Sequence, residues 1–286
     1  MPSPRTRAYL AATTVAAVLA TGAVVGFARD GDPDATADRW VSPSASAPAP
    51  SPSVSAPPLI AAKPPAGLPV IEYGSGPAGL PADPDQDSTQ ALTRGLHPES
   101  RVALYDAPGG KPRAYLPSAI SGLRTVVPIV EERGGWVAVL VPSVNRRIGW
   151  VPPGGWATET LRDQLVAHLS EHALVWLRDG REQQRWTVAT GSKSTPTPVG
   201  RTYVMGKTRM RGDIYFNLDA LVLGSIPEEP EKMASAFQLA HTGIHAWYKE
   251  SVFGQSVSNG CLRMPKAAQQ KLLAEISAGT TLTVLA

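Results

Sequence analysis

From residue 97 onward the sequence is a succession of short β-rich runs separated by turns that are rich in glycine and proline. β-Branched and aromatic residues favour strands, whereas glycine, proline and asparagine interrupt them. Runs this short, repeated at close spacing, predict a mainly β fold. The candidate strands are Arg101–Asp106, Thr125–Val130, Trp136–Val141, Ile148–Val151, Leu165–Leu169, Ala173–Leu177, Glu182–Ala189, Arg201–Met205, Phe237–His245 and Thr280–Leu285.

One helix is predicted in this region, directly after the only cysteine, Cys261. Pro265 suits the first turn of a helix, because its missing N–H would have no partner there. Ala268, Leu272 and Ile276 recur at helical spacing and give the helix one apolar face. Gly279 is expected to end it.

The first 96 of the 286 residues have a different composition from the rest. Residues 1–28 combine Arg5 and Arg7 with a long uncharged run, which is the layout of an export signal. The run is long enough to span a bilayer but poor in leucine, so a cleaved signal peptide and an uncleaved membrane anchor both stay open. Residues 41–69 alternate Pro, Ser and Ala, and residues 29–96 are expected to be a disordered, low-complexity linker.

Charge and metal-ligand spacing exclude two classes of function. The formal net charge is only +3, and the basic residues are scattered, so nucleic-acid binding is not expected. The five histidines and one cysteine form no H-E-x-x-H motif and no paired-cysteine motif. The sequence therefore predicts no metal site and no cofactor.

Cys261 lies in the run S-N-G-C-L-R-M, and His245 is sixteen positions before it. A lone thiol preceded by glycine, with a histidine that can fold against it, is typical of a nucleophile and its base. The alternative is a buried, inert cysteine. His241 lacks the Ile-His context of His245, so we expect it to be structural or to support the site.

The pattern I-H-x(12)-S-x-G-C-L-R-M resembles the signature of bacterial L,D-transpeptidases, the cysteine acyltransferases of peptidoglycan. Two positions depart from the family pattern: Ala246 stands where glycine is usual, and Asn259 where histidine or lysine is usual. The matching positions are Ile244, His245, Ser258, Gly260, Cys261, Leu262, Arg263 and Met264.

The resemblance implies that residues 163–286 form a catalytic β-sandwich with one helix after the cysteine. Cys261 would carry the acyl group as a thioester, and His245 would be its base and acid. Gly260 would let backbone N–H groups reach the oxyanion. Ala246 would orient the histidine through its carbonyl.

Two further positions and two loops receive roles by the same comparison. Ser258 would bind the histidine or the substrate, and Arg263 would hold the site together or meet a substrate carboxylate. The run at 195–200 resembles the family's T-P-x-G turn and is expected to be a rigid loop. Pro227–Glu231 is expected to be a solvated loop or a lid.

The run ERGGWVAVLVPSVNRRIGWV lies within residues 97–156 and resembles the last strands of bacterial SH3-like domains. A small SH3-like β-barrel is therefore expected before the catalytic domain. Two roles stay open for it: contact with the cell wall or substrate, and bracing of the catalytic domain.

The implied reaction is 3→3 crosslinking of peptidoglycan, with one stem peptide as acyl donor and another as acceptor. Carbapenem-type β-lactams are the implied inhibitors, and the implied location is the cell wall or the outer face of the cytoplasmic membrane. The alternatives are an L,D-carboxypeptidase, another exported cell-wall cysteine peptidase, and a non-catalytic cell-wall-binding protein.

Overall fold

The computed structural model describes residues 59–286. This part of the chain is mainly β with one α-helix late in the sequence, which confirms the predicted fold class. None of its helices is long and apolar enough to cross a membrane. The predicted signal or anchor at 1–28, and the linker as far as residue 58, lie outside the described residues.

Nine strands lie between residues 59 and 161. Seven of them form an antiparallel sheet in the order β3-β2-β8-β7-β6-β1-β9, and β4 and β5 form a separate two-stranded pair. That these strands are an SH3-like barrel stays a prediction. The strands are β1 (Arg94–Pro98), β2 (Arg101–Tyr105), β3 (Pro112–Pro117), β4 (Ala119–Ile120), β5 (Leu123–Arg124), β6 (Val127–Arg133), β7 (Trp136–Leu140), β8 (Ile148–Val151) and β9 (Trp156–Thr160).

Ten strands and the helix α1 (Lys266–Glu275) follow. Eight strands form a mixed sheet in the order β12-β11-β10-β19-β14-β15-β16-β18, and β13 pairs in parallel with β17. The strands are β10 (Asp163–His168), β11 (Ala173–Arg178), β12 (Arg181–Thr187), β13 (Thr190–Gly191), β14 (Gly200–Thr208), β15 (Ala220–Leu223), β16 (Gly243–Ala246), β17 (Ser256–Ser258), β18 (Leu262–Met264) and β19 (Thr281–Leu285).

Strand β14 belongs to both hydrophobic cores. Tyr203 and Met205 are buried in the core of the first sheet, whereas Val204 is buried in the core between the second sheet and α1. Successive side chains of a strand point to opposite faces, so one strand can serve two cores. The two sheets are therefore packed together through a shared strand.

The segment 59–93, called the strap below, packs on the sheets and is not a free linker. Ile71 and Leu80 are buried in the first core. The strap exchanges backbone hydrogen bonds with Tyr115 on β3, at 2.9 Å and 2.8 Å. The strap has few apolar residues, but burying them against the sheet is sufficient to pack it there. Composition alone does not reveal this packing.

A buried ion pair fixes the strap to the second sheet. The guanidinium of Arg201, on β14, binds both carboxylate oxygens of Asp83, with Nε–Oδ2 at 2.8 Å and Nη2–Oδ1 at 2.5 Å. The two side chains are only 5% and 0% exposed. Bidentate geometry of this kind is the strong form of the arginine–carboxylate contact.

Replacing Asp83 by asparagine should lower the free energy of unfolding by about 3 kcal/mol, because the Arg201 charge stays buried without its counter-ion. Urea unfolding of both proteins checks this. The matched control is Asp179→Asn, which removes a carboxylate from the exposed pair with Arg162. That variant should unfold like the wild type. An equal, small effect of both changes would contradict the prediction.

Two predicted elements near the site differ from the structure. The strand predicted at Phe237–His245 begins only at Gly243, and a 3-10 helix occupies Ser235–Phe237. The apolar Phe237 and Leu239 are exposed, so their alternation does not mark a buried face. Residues 207–236, where no strand was predicted, contain β15.

The helix is also shifted relative to the prediction. It does not follow the cysteine directly, because strand β18 comes first. Three extended residues place the helix start roughly 10 Å beyond the cysteine. At that distance the positive field of the helix N-terminus is weak at the thiol. Pro265 caps the helix rather than entering it, and the helix ends at Glu275, before Gly279.

Candidate active site

Cys261 lies in a tight turn between β17 and β18, and its side chain is half-buried. The Ser258 hydroxyl donates to the Cys261 carbonyl at 2.5 Å and closes the turn. Gly260 has a φ of +95°, and the Pro196 carbonyl oxygen is 3.4 Å from where a Cβ would stand. Side chains are rarely tolerated at such φ, so the turn that holds the thiol requires glycine.

The loop at 195–200 braces this turn. The Thr195 hydroxyl donates to the Ser258 carbonyl at 3.0 Å, and the Ser192 N–H donates to the same oxygen at 2.9 Å. The loop therefore supports the cysteine turn from outside the cleft.

Ser258 has a different partner from the one expected. Its side chain is fully buried, and its hydroxyl proton goes to the Cys261 carbonyl, not to the histidine. A buried hydroxyl has one proton to donate, so Ser258 is occupied in shaping the turn.

His245 lies on β16, which pairs in parallel with β18, so that Ile244 is opposite Leu262 and His245 opposite Arg263. Ile244 and Leu262 are fully buried. Because side chains alternate along a strand, His245 and Arg263 project from the other face. Cys261 immediately precedes Leu262, so by the same alternation it faces the side of His245 and Arg263. The thiol and the imidazole thus lie on one face of adjacent strands and line the same cleft.

A backbone carbonyl orients the His245 ring. Nδ1 lies 3.0 Å from the Ala246 carbonyl oxygen. A carbonyl can only accept, so Nδ1 carries the proton and Nε2 keeps a free lone pair. Ala246 has the extended backbone of β16 and does not need positive φ. The contact implied by the family resemblance is therefore present with alanine in place of glycine.

The electrostatics of the site favour an uncharged resting pair. Burial lowers the pKa of His245 to about 4, the Ala246 carbonyl opposes this, and the charge of Arg263 adds to it. Burial raises the pKa of the Cys261 thiol, while the Gly243 N–H and Arg263 lower it by less. At neutral pH the site thus holds a thiol and a neutral imidazole, and no hydrogen bond joins them in the described structure.

The cleft over these two residues has a volume of about 350 Å³ and mainly apolar walls. Aromatic side chains line much of it, among them Tyr73, Tyr215 and Trp247. Among residues 59–286, Arg263 is the only lining residue with a permanent charge, and no carboxylate of that range lines the cleft. Such a cleft suits an extended ligand that carries a negative charge.

Arg263 is held by stacking, and its hydrogen bonds are incomplete. Its guanidinium lies over the Trp247 ring, 3.9 Å from the ring centroid. Nε is buried and, within residues 59–286, has no hydrogen-bond partner. A buried donor without an acceptor is costly, so an anionic group bound in the cleft would supply what is missing.

Two aromatic residues beside His245 were missed by the sequence analysis. The rings of Tyr215 and Trp247 lie 5.3 Å and 5.8 Å from the imidazole, centroid to centroid. Trp247 is two residues after His245, so strand alternation contained a signal for it. Tyr215 lies on a 3-10 helix in a stretch for which no element was predicted, and no local pattern marks it.

His241 forms a separate network at one end of the cleft. Its Nδ1 lies 2.6 Å from the Leu223 carbonyl oxygen, and its Nε2 lies 3.0 Å from the Ser143 hydroxyl. Burial lowers its pKa to about 4. The ring packs against Tyr73 of the strap, with centroids 4.3 Å apart. His241 therefore joins the strap and the first sheet to the catalytic site.

Within residues 59–286, no group of three or more His, Cys, Asp or Glu side chains is placed to hold a metal ion.

Residues 162–284 match the family model of YkuD, the L,D-transpeptidase catalytic domain. No curated protein sequence matches the chain significantly. A thiol and an imidazole in one cleft, together with this match, define an acyl-transferring enzyme of the transpeptidase class. Residues 162–284 therefore form an L,D-transpeptidase catalytic domain, as the sequence motif predicted.

Three solved structures show a distant likeness. L,D-transpeptidase 3 of Mycobacterium tuberculosis, in complex with a faropenem-derived adduct, is 15% identical over 53% of this chain and 90% of that chain, with a TM-score of 0.36. An L,D-transpeptidase of Mycobacterium smegmatis is 14% identical over 57% and 100%, with a TM-score of 0.34. The catalytic domain of an Enterococcus faecium L,D-transpeptidase is 20% identical over 43% and 95%, with a TM-score of 0.32.

Proposed function

We propose that this chain is an exported L,D-transpeptidase that forms 3→3 crosslinks between peptidoglycan stem peptides through a Cys261 thioester. One observation carries the proposal: Cys261 and His245 line one cleft, from the same face of two paired strands, and the single permanent charge there is a cation. That arrangement supports acyl transfer from an anionic peptide to an amine.

The first half-reaction would transfer the donor acyl group to sulfur. Nε2 of His245 takes the thiol proton as Sγ of Cys261 attacks the carbonyl carbon of the diamino acid at position three. The C–N bond to the terminal D-Ala then breaks, and the imidazolium returns the proton to the leaving amine. Because the resting pair is uncharged, proton transfer accompanies the attack and no thiolate has to be stored in the cleft.

Backbone donors support the tetrahedral intermediate. The N–H groups of Gly260 and Cys261 have no acceptor among the described residues. They are rigidly held by the turn, so they are suited to bind an oxyanion without reorganising. This is the role assigned to Gly260.

Arg263 would bind the carboxylate of the departing D-Ala. Its unpartnered Nε and the absence of lining carboxylates leave its charge available to a ligand. Carboxylates are bound by arginine through strong, charge-assisted hydrogen bonds.

In the second half-reaction the side-chain amine of an acceptor stem attacks the thioester. The C–S bond breaks, the new amide forms, and the thiol regains its proton through His245. The same thiol would open the ring of a carbapenem-type β-lactam and retain it as an acyl adduct. The export assignment rests on the Arg5 and Arg7 layout of residues 1–28.

The test is incubation of the purified protein with a tetrapeptide stem, alone and with an acceptor stem, followed by mass spectrometry. Release of D-Ala with a dimer linked between two diamino acids supports the proposal. D-Ala release with only the tripeptide, even with acceptor in excess, would assign the chain as an L,D-carboxypeptidase. No release in either reaction would contradict an enzymatic role and favour a wall-binding protein.

A further inference from the structure

Tyr73 is a residue of the strap, yet it lines the cleft that contains Cys261. Its side chain is 37% exposed, so it remains accessible to a ligand. It lies outside residues 162–284, which match the catalytic-domain family. The cleft is therefore completed by a residue from another part of the chain.

The position of Tyr73 is fixed on both sides along the strap. The carbonyl of Glu72 accepts from the Ser143 hydroxyl at 3.1 Å, and the N–H of Gly74 lies 3.4 Å from Nε2 of His241. Gly74 has a φ of +81°, and the Leu239 carbonyl oxygen is 2.6 Å from where a Cβ would stand. These contacts come from the first sheet and from the catalytic domain, and they hold the tyrosine in one place.

The phenol of Tyr73 has a donor to spare. Its oxygen accepts a hydrogen bond from the backbone N–H of His241 at 3.2 Å. Its own proton has no acceptor among residues 59–286. Burial raises the pKa of Tyr73, so the phenol is protonated at neutral pH and can donate. An ordered donor at the edge of a mainly apolar cleft is the kind of group that fixes ligand orientation.

We propose that Tyr73 is a substrate-contacting residue, whose O–H donates a hydrogen bond to a carbonyl oxygen of the donor stem peptide in the Cys261 cleft. This inference rests on the proposed function for the identity of the ligand. Arg263 provides the charged contact for the carboxylate, and Tyr73 provides a neutral donor. Recognition of the stem would thus depend on the strap as well as on the catalytic domain.

The test measures binding rather than turnover. A tetrapeptide stem is titrated calorimetrically into Cys261→Ala and into Cys261→Ala/Tyr73→Phe. Phenylalanine keeps the ring that packs on His241 and removes only the hydroxyl, so the dissociation constant should rise about two- to tenfold, the effect of one hydrogen bond. Tyr248→Phe in the same background is the matched control, because Tyr248 is 54% exposed and does not line the cleft.

Equal affinity of the two Tyr73 forms, or no binding by Cys261→Ala, would overturn the inference. Thermal unfolding checks that the single variant Tyr73→Phe is folded. This variant keeps Cys261, so alkylation of its thiol by iodoacetamide checks that the cleft is intact. The two proposals fail separately. If the stem binds more weakly to the Tyr73→Phe form but the wild type releases no D-Ala, the transpeptidase proposal is contradicted and the Tyr73 contact stands. If the wild type releases D-Ala but Tyr73→Phe leaves the affinity unchanged, the Tyr73 contact is contradicted and the transpeptidase proposal stands.

Discussion

Replacement of Cys261 by alanine should abolish the acyl adduct that a carbapenem forms with the protein. The wild type should gain the mass of one carbapenem in an intact-protein mass spectrum, because the chain has a single thiol to acylate. Alanine removes the nucleophile without a change in the fold, since the turn is held by Ser258 and Gly260 rather than by sulfur. Turnover of the stem peptide should fall below detection in parallel.

Cys261→Ser is the informative companion variant. It restores a hydroxyl of similar size, but a hydroxyl is a much weaker nucleophile at neutral pH, so any adduct should form far more slowly. Adduct on Cys261→Ala at the wild-type level would show that another group is acylated. A wild type that takes up neither carbapenem nor stem peptide would count against the nucleophile itself.

Replacement of His245 by glutamine should slow acylation by about a hundredfold to ten-thousandfold, the range expected for loss of general-base catalysis. Glutamine keeps a polar side chain of similar length on β16 but cannot take the thiol proton near neutral pH. Stopped-flow or quenched measurement of adduct formation gives the rate. His168→Gln, on β10 and outside the cleft, is the control and should react like the wild type.

The pH profile separates this role from a structural one. The neutral form of His245 is the base, and its pKa is lowered to about 4. The wild-type acylation rate should therefore hold from neutral pH down to about 5 and fall as the pH drops through about 4. An ordinary histidine would lose activity near its usual pKa of roughly 6.5. A fall in the wild-type acylation rate near that pH, or the same pH profile in His245→Gln, would contradict the assignment.

Local patterns predicted the motif that contains Cys261 and several strands away from it, but not the strands that flank the cysteine. Ile148–Val151 was predicted with its observed limits, and β11 starts at the predicted Ala173. The carbonyl partner of His245 followed from the family pattern, and it is present in the structure.

Features made by distant residues were not readable in this way. The strap looked like linker because it has few apolar residues, and its burial depends on surfaces built by other strands. Tyr73 and Tyr215 reach the cleft only through tertiary packing. Strand Phe237–His245 was overextended because exposed apolar residues repeat with the same period as buried ones. The domain limits and the roles of the site residues stay predictions.

The shared strand β14 has a practical consequence for anyone who wishes to study the catalytic region by itself. A recombinant fragment restricted to residues 162–284 would uncover Tyr203, Met205 and Val222, which the first sheet now shields from water. Freshly bared apolar surface of this kind invites self-association. Such a fragment would also lack Tyr73, which lines the cleft that contains Cys261, so its cleft would differ from that of the intact molecule.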